Sequence, residues 1–214
     1  MEFISEELSK YAEDHTTPES DLLAQLNRET YSQVLIPRML SGHLQGRILS
    51  LISKIKQPRN VLEIGTYTGY AALCLAEGLT ENGELDTIEK NEELETRILK
   101  YFKQSPYASQ LNLHIGDAIE LVASLDKKFD LVFIDADKSN YLNYYNLVFD
   151  KLNTGALIIA DNVLWSGKVL NESQIAKDID TKALVEFNSF VQQDSRVENV
   201  LMPVRDGLMI IRKK

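Results

Sequence analysis

The chain has 214 residues, 23 Lys plus Arg against 32 Asp plus Glu, and a formal net charge of −9. With 44% hydrophobic and 26% charged residues it reads as a folded globular chain, long enough to bury a core, and wholesale disorder is excluded. The acidic balance disfavours a nucleic-acid backbone as ligand, Cys74 alone allows neither an internal disulfide nor a cysteine zinc cage, and no window reaches the roughly 18 apolar residues of a membrane span.

The N-terminus, Met1-Glu2-Phe3-Ile4-Ser5-Glu6-Glu7, is acidic and lacks a secretory layout, so the cytoplasm is the expected compartment. The first part of the chain predicts helices over about 2–13, 18–34 and 41–56. Thr17-Pro18-Glu19-Ser20 predicts a helix start, with Thr17 as N-cap and Pro18 in the first turn. Pro37 predicts the break before the third helix. In that helix Leu44, Ile48, Leu51, Ile52 and Ile55 recur at helical spacing.

From residue 60 the pattern changes to short apolar runs: Asn60–Ile64, Glu84–Ile88, Leu111–Ile115, Leu131–Ile134, Ala156–Ala160, Val197–Met202 and Leu208–Ile211. Most of the first five lead through a turn into a helical stretch, which predicts parallel βαβ units with helices on both faces. The last two are separated only by residues 203–207 and predict a hairpin. The expectation is a Rossmann-like, doubly wound α/β fold with a mostly parallel seven-stranded sheet and an antiparallel edge strand. It forms one domain over 1–214, a helical N-terminal extension (1–58) on a core (59–214). In such sheets ligands bind beyond the carboxyl ends of the strands, so the residues just after them carry the chemistry.

After the first strand come Gly65-Thr66-Tyr67-Thr68-Gly69-Tyr70. Two glycines allow a tight turn but do not make the dinucleotide fingerprint, which needs three. Glu89 ends the second strand, close to the roughly 20 residues after Gly65 at which an acid receives ribose hydroxyls. Glu63, Gly65 and Gly69, as Glu-x-Gly-x-x-x-Gly, resemble motif I of class I S-adenosylmethionine (SAM)-dependent methyltransferases. Gly116-Asp117-Ala118, after the third strand, resembles the segment that lies along the adenine in that family. The resemblance implies SAM as cofactor, with Ala118 and Asp117 at the adenine, Glu89 at the ribose, Gly65 under the methionine part and Glu63 near its amino group.

The fourth strand ends in Asp135-Ala136-Asp137-Lys138 and the fifth in Asp161-Asn162-Val163-Leu164-Trp165. Adjacent strand ends would gather Asp135, Asp161 and Asn162, hard oxygen ligands suited to Mg²⁺, Mn²⁺ or Ca²⁺. From about residue 18 onward the chain resembles the cation-dependent O-methyltransferases of caffeoyl-CoA and catechol type, in their bacterial form. The resemblance implies a divalent cation, Mg²⁺ first, on those three residues. It also implies that the segment 39–46 closes over SAM through Met39 and Ser41, and that Thr66, Tyr67, Tyr70 and Ala71 face the cofactor. Family members often carry serine at the position of Ala71. Lys138 is implied as general base or as a fixed cation, with Asp135 beside it. Met39, Lys138 and Trp165 are implied at the acceptor, and Tyr141 as an aromatic wall. A homodimer is implied, with the N-terminal helices as contact or lid. The chain is short between Trp165 and the last helix, where plant relatives carry an insertion, which favours an open site for small catechols.

The reaction expected is methyl transfer from SAM to one hydroxyl of a small aromatic vicinal diol. A cation that holds both diol oxygens lowers the hydroxyl pKa and fixes the ring. Two alternatives stay open. One is a modified-uridine hydroxyl in tRNA, which would need a basic surface around Lys138, Lys168 and Arg205. The other is a non-catalytic SAM- or nucleotide-binding module. Outside the site, Asp137 is read as a helix cap or a support for the site, and His43 as a structural hydrogen-bonding residue. His15 and His114 are read as surface or strand residues, Cys74 as buried, and Glu92-Glu93-Leu94-Glu95 as a solvated helix face.

Overall fold

The computed structural model describes residues 5–214, so the first residues of the predicted 2–13 helix lie outside it. Its elements are α1 (Glu6–Asp14), α2 (Asp21–Gln33), α3 (Gly42–Lys56), β1 (Asn60–Ile64), α4 (Tyr70–Ala76), β2 (Glu84–Glu89), α5 (Glu95–Gln104), β3 (Leu111–Ile115) and α6 (Ala118–Ser124). They continue with β4 (Phe129–Ile134), α7 (Tyr141–Phe149), β5 (Leu152–Asp161), α8 (Glu172–Lys177), α9 (Ile179–Gln193), β6 (Val197–Met202) and β7 (Leu208–Lys213).

The strands form one sheet in the order β3-β2-β1-β4-β5-β7-β6. The pairs among β1 to β5 are parallel, and β7 runs antiparallel between β5 and β6. The antiparallel element thus lies at the expected side, with β6 outermost. Alternate strand residues feed opposite apolar layers, as the period of two requires. Leu62, Ile64, Val132 and Ile134 join Tyr141, Tyr145 and Phe187 on one face. Val61, Leu131 and Phe133 join Leu26, Leu49 and Leu75 on the other. The strand order reverses between β1 and β4, and the carboxyl ends of these two strands form the switch point where such sheets place their ligands.

Four local expectations change. Helix α2 begins at Asp21, because Ser20 is the cap and its hydroxyl accepts from the Leu23 amide at 3.3 Å. The Thr17 carbonyl is engaged elsewhere, by His43 Nε2 at 2.7 Å, which gives His43 the structural hydrogen bond expected of it. Pro37 opens a short 3₁₀ turn, Pro37–Met39, and the chain break lies before it, where Ile36 adopts φ 56°.

The third change concerns which side of α3 is buried. Its apolar stripe is only partly covered: Ile48 and Ile52 pack half-buried against the core, while Leu51 is 60% and Ile55 76% exposed. The buried side is Gln45, Gly46, Leu49, Ser50 and Ser53. Close approach to α4 explains the small residues: a Cβ on Gly46 would lie 2.6 Å from Tyr70 Cε1, and one on Gly78 would lie 2.1 Å from the Ser53 carbonyl carbon. Strand β5 also starts earlier than its apolar run, because Asn153-Thr154-Gly155 has turn-like composition yet continues the strand from Leu152.

Candidate active site

Between the ends of β1 and β4 and the turn before α3 lies a cavity. It is lined by Met39, Leu40, Ser41, Gly65, Thr66, Tyr67, Tyr70, Ala71, Phe133 and Asp135. All but Leu40 and Phe133 are residues the sequence pointed to. Gly65 is the joint of this arrangement. Its φ is +101°, and an added Cβ would stand 2.0 Å from the Asp135 carbonyl oxygen. Only glycine lets the two strand ends come this close. The amides of Gly65 and Thr66 both donate to the Ile88 carbonyl, at 3.0 and 3.1 Å, which ties the turn to β2.

Glu63 and Glu89 flank the turn without lining the cavity. Glu89 is nearly buried, and its two oxygens accept from the amides of Tyr67 at 2.7 Å and Asn91 at 2.8 Å. Tyr67 holds a left-handed backbone, φ 52°, and its hydroxyl donates to the Leu35 carbonyl at 3.1 Å, fastening the loop before α3 over the turn. Glu63 is fully buried, and one carboxyl oxygen accepts from the Thr87 hydroxyl. The other, Oε1, has no hydrogen-bond partner among the described residues. Burial above all, then the charges of Asp135 and Glu89, holds this carboxyl well above the usual carboxylate range. An ammonium group against Oε1 would supply both the missing hydrogen bond and the missing positive charge, so the site fits the amino group of SAM.

Asp117 and Ala118 stand apart from the cavity lining. The Asp117 carboxylate caps α6, accepting from the Ile119 amide at 2.9 Å, and Ala118 is the first residue of that helix, 9% exposed.

The acid cluster assembles on the β4 and β5 ends. The Asp135 carboxylate accepts from Lys138 Nζ at 3.0 Å, and Lys138 also donates to the Tyr141 hydroxyl at 2.6 Å. That hydroxyl in turn donates to the Asp161 carbonyl at 2.9 Å, bridging the two strand ends. Tyr141 is fully buried against Phe187, so it is a structural bridge and not the exposed ring wall expected of it. Asp161 is 4% exposed, and burial first, then the charge of Asp135, pushes its carboxyl up to about 7. The Asp161 carboxyl, its ionisation opposed by the neighbouring Asp135 charge, together with Asp135 and Asn162 makes a donor set that a hard divalent cation fits. Among the described residues no three His, Cys, Asp or Glu side chains gather, so a cation here would depend on the amide as well as the acids. Asp137 is tied away from this set. Its carboxylate accepts from Tyr144 Oη and Asn140 Nδ2, bracing the start of α7 in place of a backbone cap.

The loop after β5 is backbone-strained. Asn162, Trp165 and Ser166 have φ of 59°, 47° and 53°, and a non-glycine residue in that region costs on the order of 1–3 kcal/mol. The turn before β7 over-determines it. The Val163 and Leu164 amides donate to the carbonyls of Gly207 at 3.2 Å and Asp206 at 2.9 Å, and the Ser166 amide to the Asp206 carboxylate. Arg205 from the same turn donates to the Leu40 carbonyl at 3.2 Å. Lys138 and Lys168 lie 5.8 and 5.7 Å from the Trp165 ring centroid, within cation–π range. Trp165 Nε1 is buried without a partner among the described residues.

Sequence reasoning did not find Gln45, whose Nε2 donates to the Asp161 carboxylate at 2.6 Å, nor the bridge through the Tyr141 hydroxyl; it found the turn 203–207 as a hairpin but not its hold on the loop after β5. The one signal for Gln45 is a long polar residue on a helix side that is otherwise small or apolar.

Comparison with known proteins agrees with this geometry. An O-methyltransferase family model matches residues 12–214. A caffeoyl-CoA O-methyltransferase of Stellaria longipes is 29% identical over 220 aligned positions, covering 98% of this chain and 91% of that protein. A caffeoyl-CoA O-methyltransferase 2 of Eucalyptus globulus is 32% identical, covering 79% of this chain and 72% of that one. Among solved structures, an S-adenosylhomocysteine (SAH)-bound methyltransferase of Podospora anserina superposes with a TM-score of 0.89 at 28% identity, covering 99% and 97% of the two chains. An O-methyltransferase of Bacillus cereus in complex with SAH superposes with a TM-score of 0.89 at 25% identity, covering 97% of each. A Rossmann-like sheet, a glycine turn against the β4 end and a family match over nearly the whole length together make this chain a member of the SAM-dependent O-methyltransferase family.

Proposed function

We propose that this O-methyltransferase methylates one hydroxyl of a small aromatic carrying two adjacent hydroxyls, and that it needs a divalent cation to do so. The observation that carries this reading is the placement of Asp135 and Asp161 on neighbouring strand ends, with Asn162 beside them and the cofactor cavity touching Asp135. Asp135, Asp161 and Asn162 would hold the cation, Mg²⁺ first. A bound cation supplies a charge that gathers two adjacent oxygens and favours the ionised hydroxyl. SAM supplies the methyl as a sulfonium electrophile.

The chain's own residues do the rest. With SAM bound, Glu63 would meet its amino group, Glu89 its ribose hydroxyls, and Gly65 would leave room for its methionine part at the turn. Met39 and Ser41 cover the cofactor, and the Tyr67 and Arg205 hydrogen bonds hold that cover in place. Lys138 donates to Asp135 and to Tyr141, which leaves one N–H for the acceptor oxygen. This geometry favours a fixed cation that stabilises the ionised hydroxyl, with the proton passing to solvent, over a general base. Trp165 offers its ring to the acceptor.

The caffeoyl-CoA relatives support a phenolic acceptor. The segment Trp165–Leu170 is short and Leu170 is 88% exposed, which leaves the acceptor side open and suits a small catechol rather than a long thioester. The nucleoside alternative finds no support here: Lys138 and Lys168 are paired with Asp135 and Asp178, and Arg205 is engaged with the Leu40 carbonyl.

The test is methyl transfer from SAM to caffeic acid in chelator-treated enzyme with and without added Mg²⁺, alongside Asp161→Ala. Methylation that needs the metal and is lost in the variant is expected. Methylation that ignores the chelator, or an active Asp161→Ala enzyme, refutes the cation assignment.

A further inference from the structure

Helix α3 reaches the acid cluster through one side chain. Gln45 is 1% exposed, and its Nε2 donates to Asp161 Oδ2 at 2.6 Å. The other oxygen, Oδ1, accepts from the Asn162 amide at 2.6 Å. Both oxygens of the carboxylate are therefore oriented by protein donors, and each keeps a lone pair for a further partner. The Asn162 amide is part of the strained loop itself, whereas Gln45 comes from a separate rigid element 116 residues away in the chain. Gly46, next to it, is held against Tyr70 so closely that a Cβ would meet the ring at 2.6 Å, which fixes the height of α3 above the sheet. The turn that leads into α3 supplies Met39, Leu40 and Ser41 to the cofactor cavity.

We infer that Gln45 is a positioning residue for Asp161. It aims the carboxylate at the cation and, through α3, ties the cation site to the seating of the cofactor. The inference rests on the cation reading proposed above. Outer hydrogen-bond partners of metal ligands contribute by fixing ligand orientation, and losing one costs roughly 10–100-fold in metal affinity. Because the turn that carries Met39 to Ser41 runs directly into the helix that carries Gln45, cofactor binding should also tighten cation binding, and linkage requires the reverse by the same factor.

The test is Mn²⁺ binding to the whole protein, read from the free-ion electron paramagnetic resonance signal with and without saturating SAH. Two variants are used. Gln45→Met keeps the length without the donor. Gln45→Asn keeps the amide but falls short by one bond, about 1.5 Å. SAH affinity by calorimetry serves as the fold control, since Gln45 does not line the cofactor cavity. The wild type should bind Mn²⁺ more tightly with SAH present. Both variants should lose roughly 10–100-fold in Mn²⁺ affinity and lose the SAH effect, with SAH affinity alone kept within a few-fold. Wild-type Mn²⁺ affinity in both variants would overturn the role of Gln45 and leave the cation reading intact. Absence of Mn²⁺ binding to the wild type would overturn the cation reading and this inference with it.

Discussion

Cation binding should stabilise the fold strongly near neutral pH and weakly in mild acid. Burial, and then the charge of Asp135, lifts the Asp161 carboxyl from 3.8 to about 7. A folded-state pKa raised above the unfolded value means the folded chain holds a proton that the unfolded chain releases. The stability this contributes is fully present below about pH 4 and is lost as pH rises through about 7. A cation takes the place of that proton, so below pH 7 the two compete and affinity falls about tenfold per pH unit, or roughly 100-fold by about pH 5. At a cation concentration of about 100 times Kd near neutrality, mass action adds about 2.7 kcal/mol. The same concentration is about one Kd at pH 5 and adds about 0.4 kcal/mol. For a chain of this size the melting temperature should rise by about 5–10 °C in the first case and about 1–2 °C in the second. Thermal unfolding of chelator-treated protein, with saturating SAH and with or without Mn²⁺, reads both shifts. Asp161→Asn should show a small shift at either pH. Equal shifts of the wild type at the two pH values would refute the competition with a proton, and no shift at all would refute cation binding.

Two predictions concern the cofactor side. Glu89→Ala should weaken SAH binding by about 1–3 kcal/mol, the worth of a charge-assisted hydrogen bond, and calorimetry giving wild-type affinity would remove Glu89 from the ribose. Gly65→Ala places a Cβ 2.0 Å from the Asp135 carbonyl on a backbone with φ +101°, so the β4 end must move away from the turn. The left-handed strain alone costs about 1–2 kcal/mol. A lower melting temperature and loss of SAH binding are expected, and a variant that binds SAH like the wild type would show that this approach of the two strand ends is dispensable.

The sheet was legible because its strands are buried on both sides and so appear as apolar runs, unbroken in Leu131–Ile134 and Leu157–Ala160 and interrupted only by Glu63 in Val61–Ile64. The site was legible for a related reason: in a parallel sheet every strand delivers its next residue to the same edge, so Gly65, Glu89, Asp135 and Asp161 announce themselves by position. The orientation of α3 was not. Periodicity finds an apolar stripe but cannot say that tight packing will bring Gly46, Ser50 and Ser53 to the buried side and leave Leu51 and Ile55 exposed. Tyr141 looked like a ring wall because aromatic residues near a site usually show a face. Here the pull comes from its hydroxyl, which connects Lys138 to the Asp161 carbonyl, a contact between strand ends that local sequence does not encode. Gln45 escaped for the same reason, since its partner lies 116 residues away.

The turn that restrains the loop after β5 has a consequence for the order in which this protein can be built. Ser166 and its partner Asp206 are separated by 40 residues, and β7, which follows that turn, is the strand that pairs with β5. During synthesis β1 to β4 and the glycine turn can assemble first, because their contacts are made among residues already present. The loop after β5 has no such option. Until the last hairpin emerges, β5 stays an edge strand with an open ladder, and the strained loop lacks the Gly207 and Asp206 acceptors that over-determine it. A nascent or nicked chain lacking the hairpin would therefore keep the β1 to β4 sheet and its glycine turn while leaving the open ladder of β5 to pair with another chain. The hairpin that braces the loop after β5 is also what keeps that strand from templating aggregation.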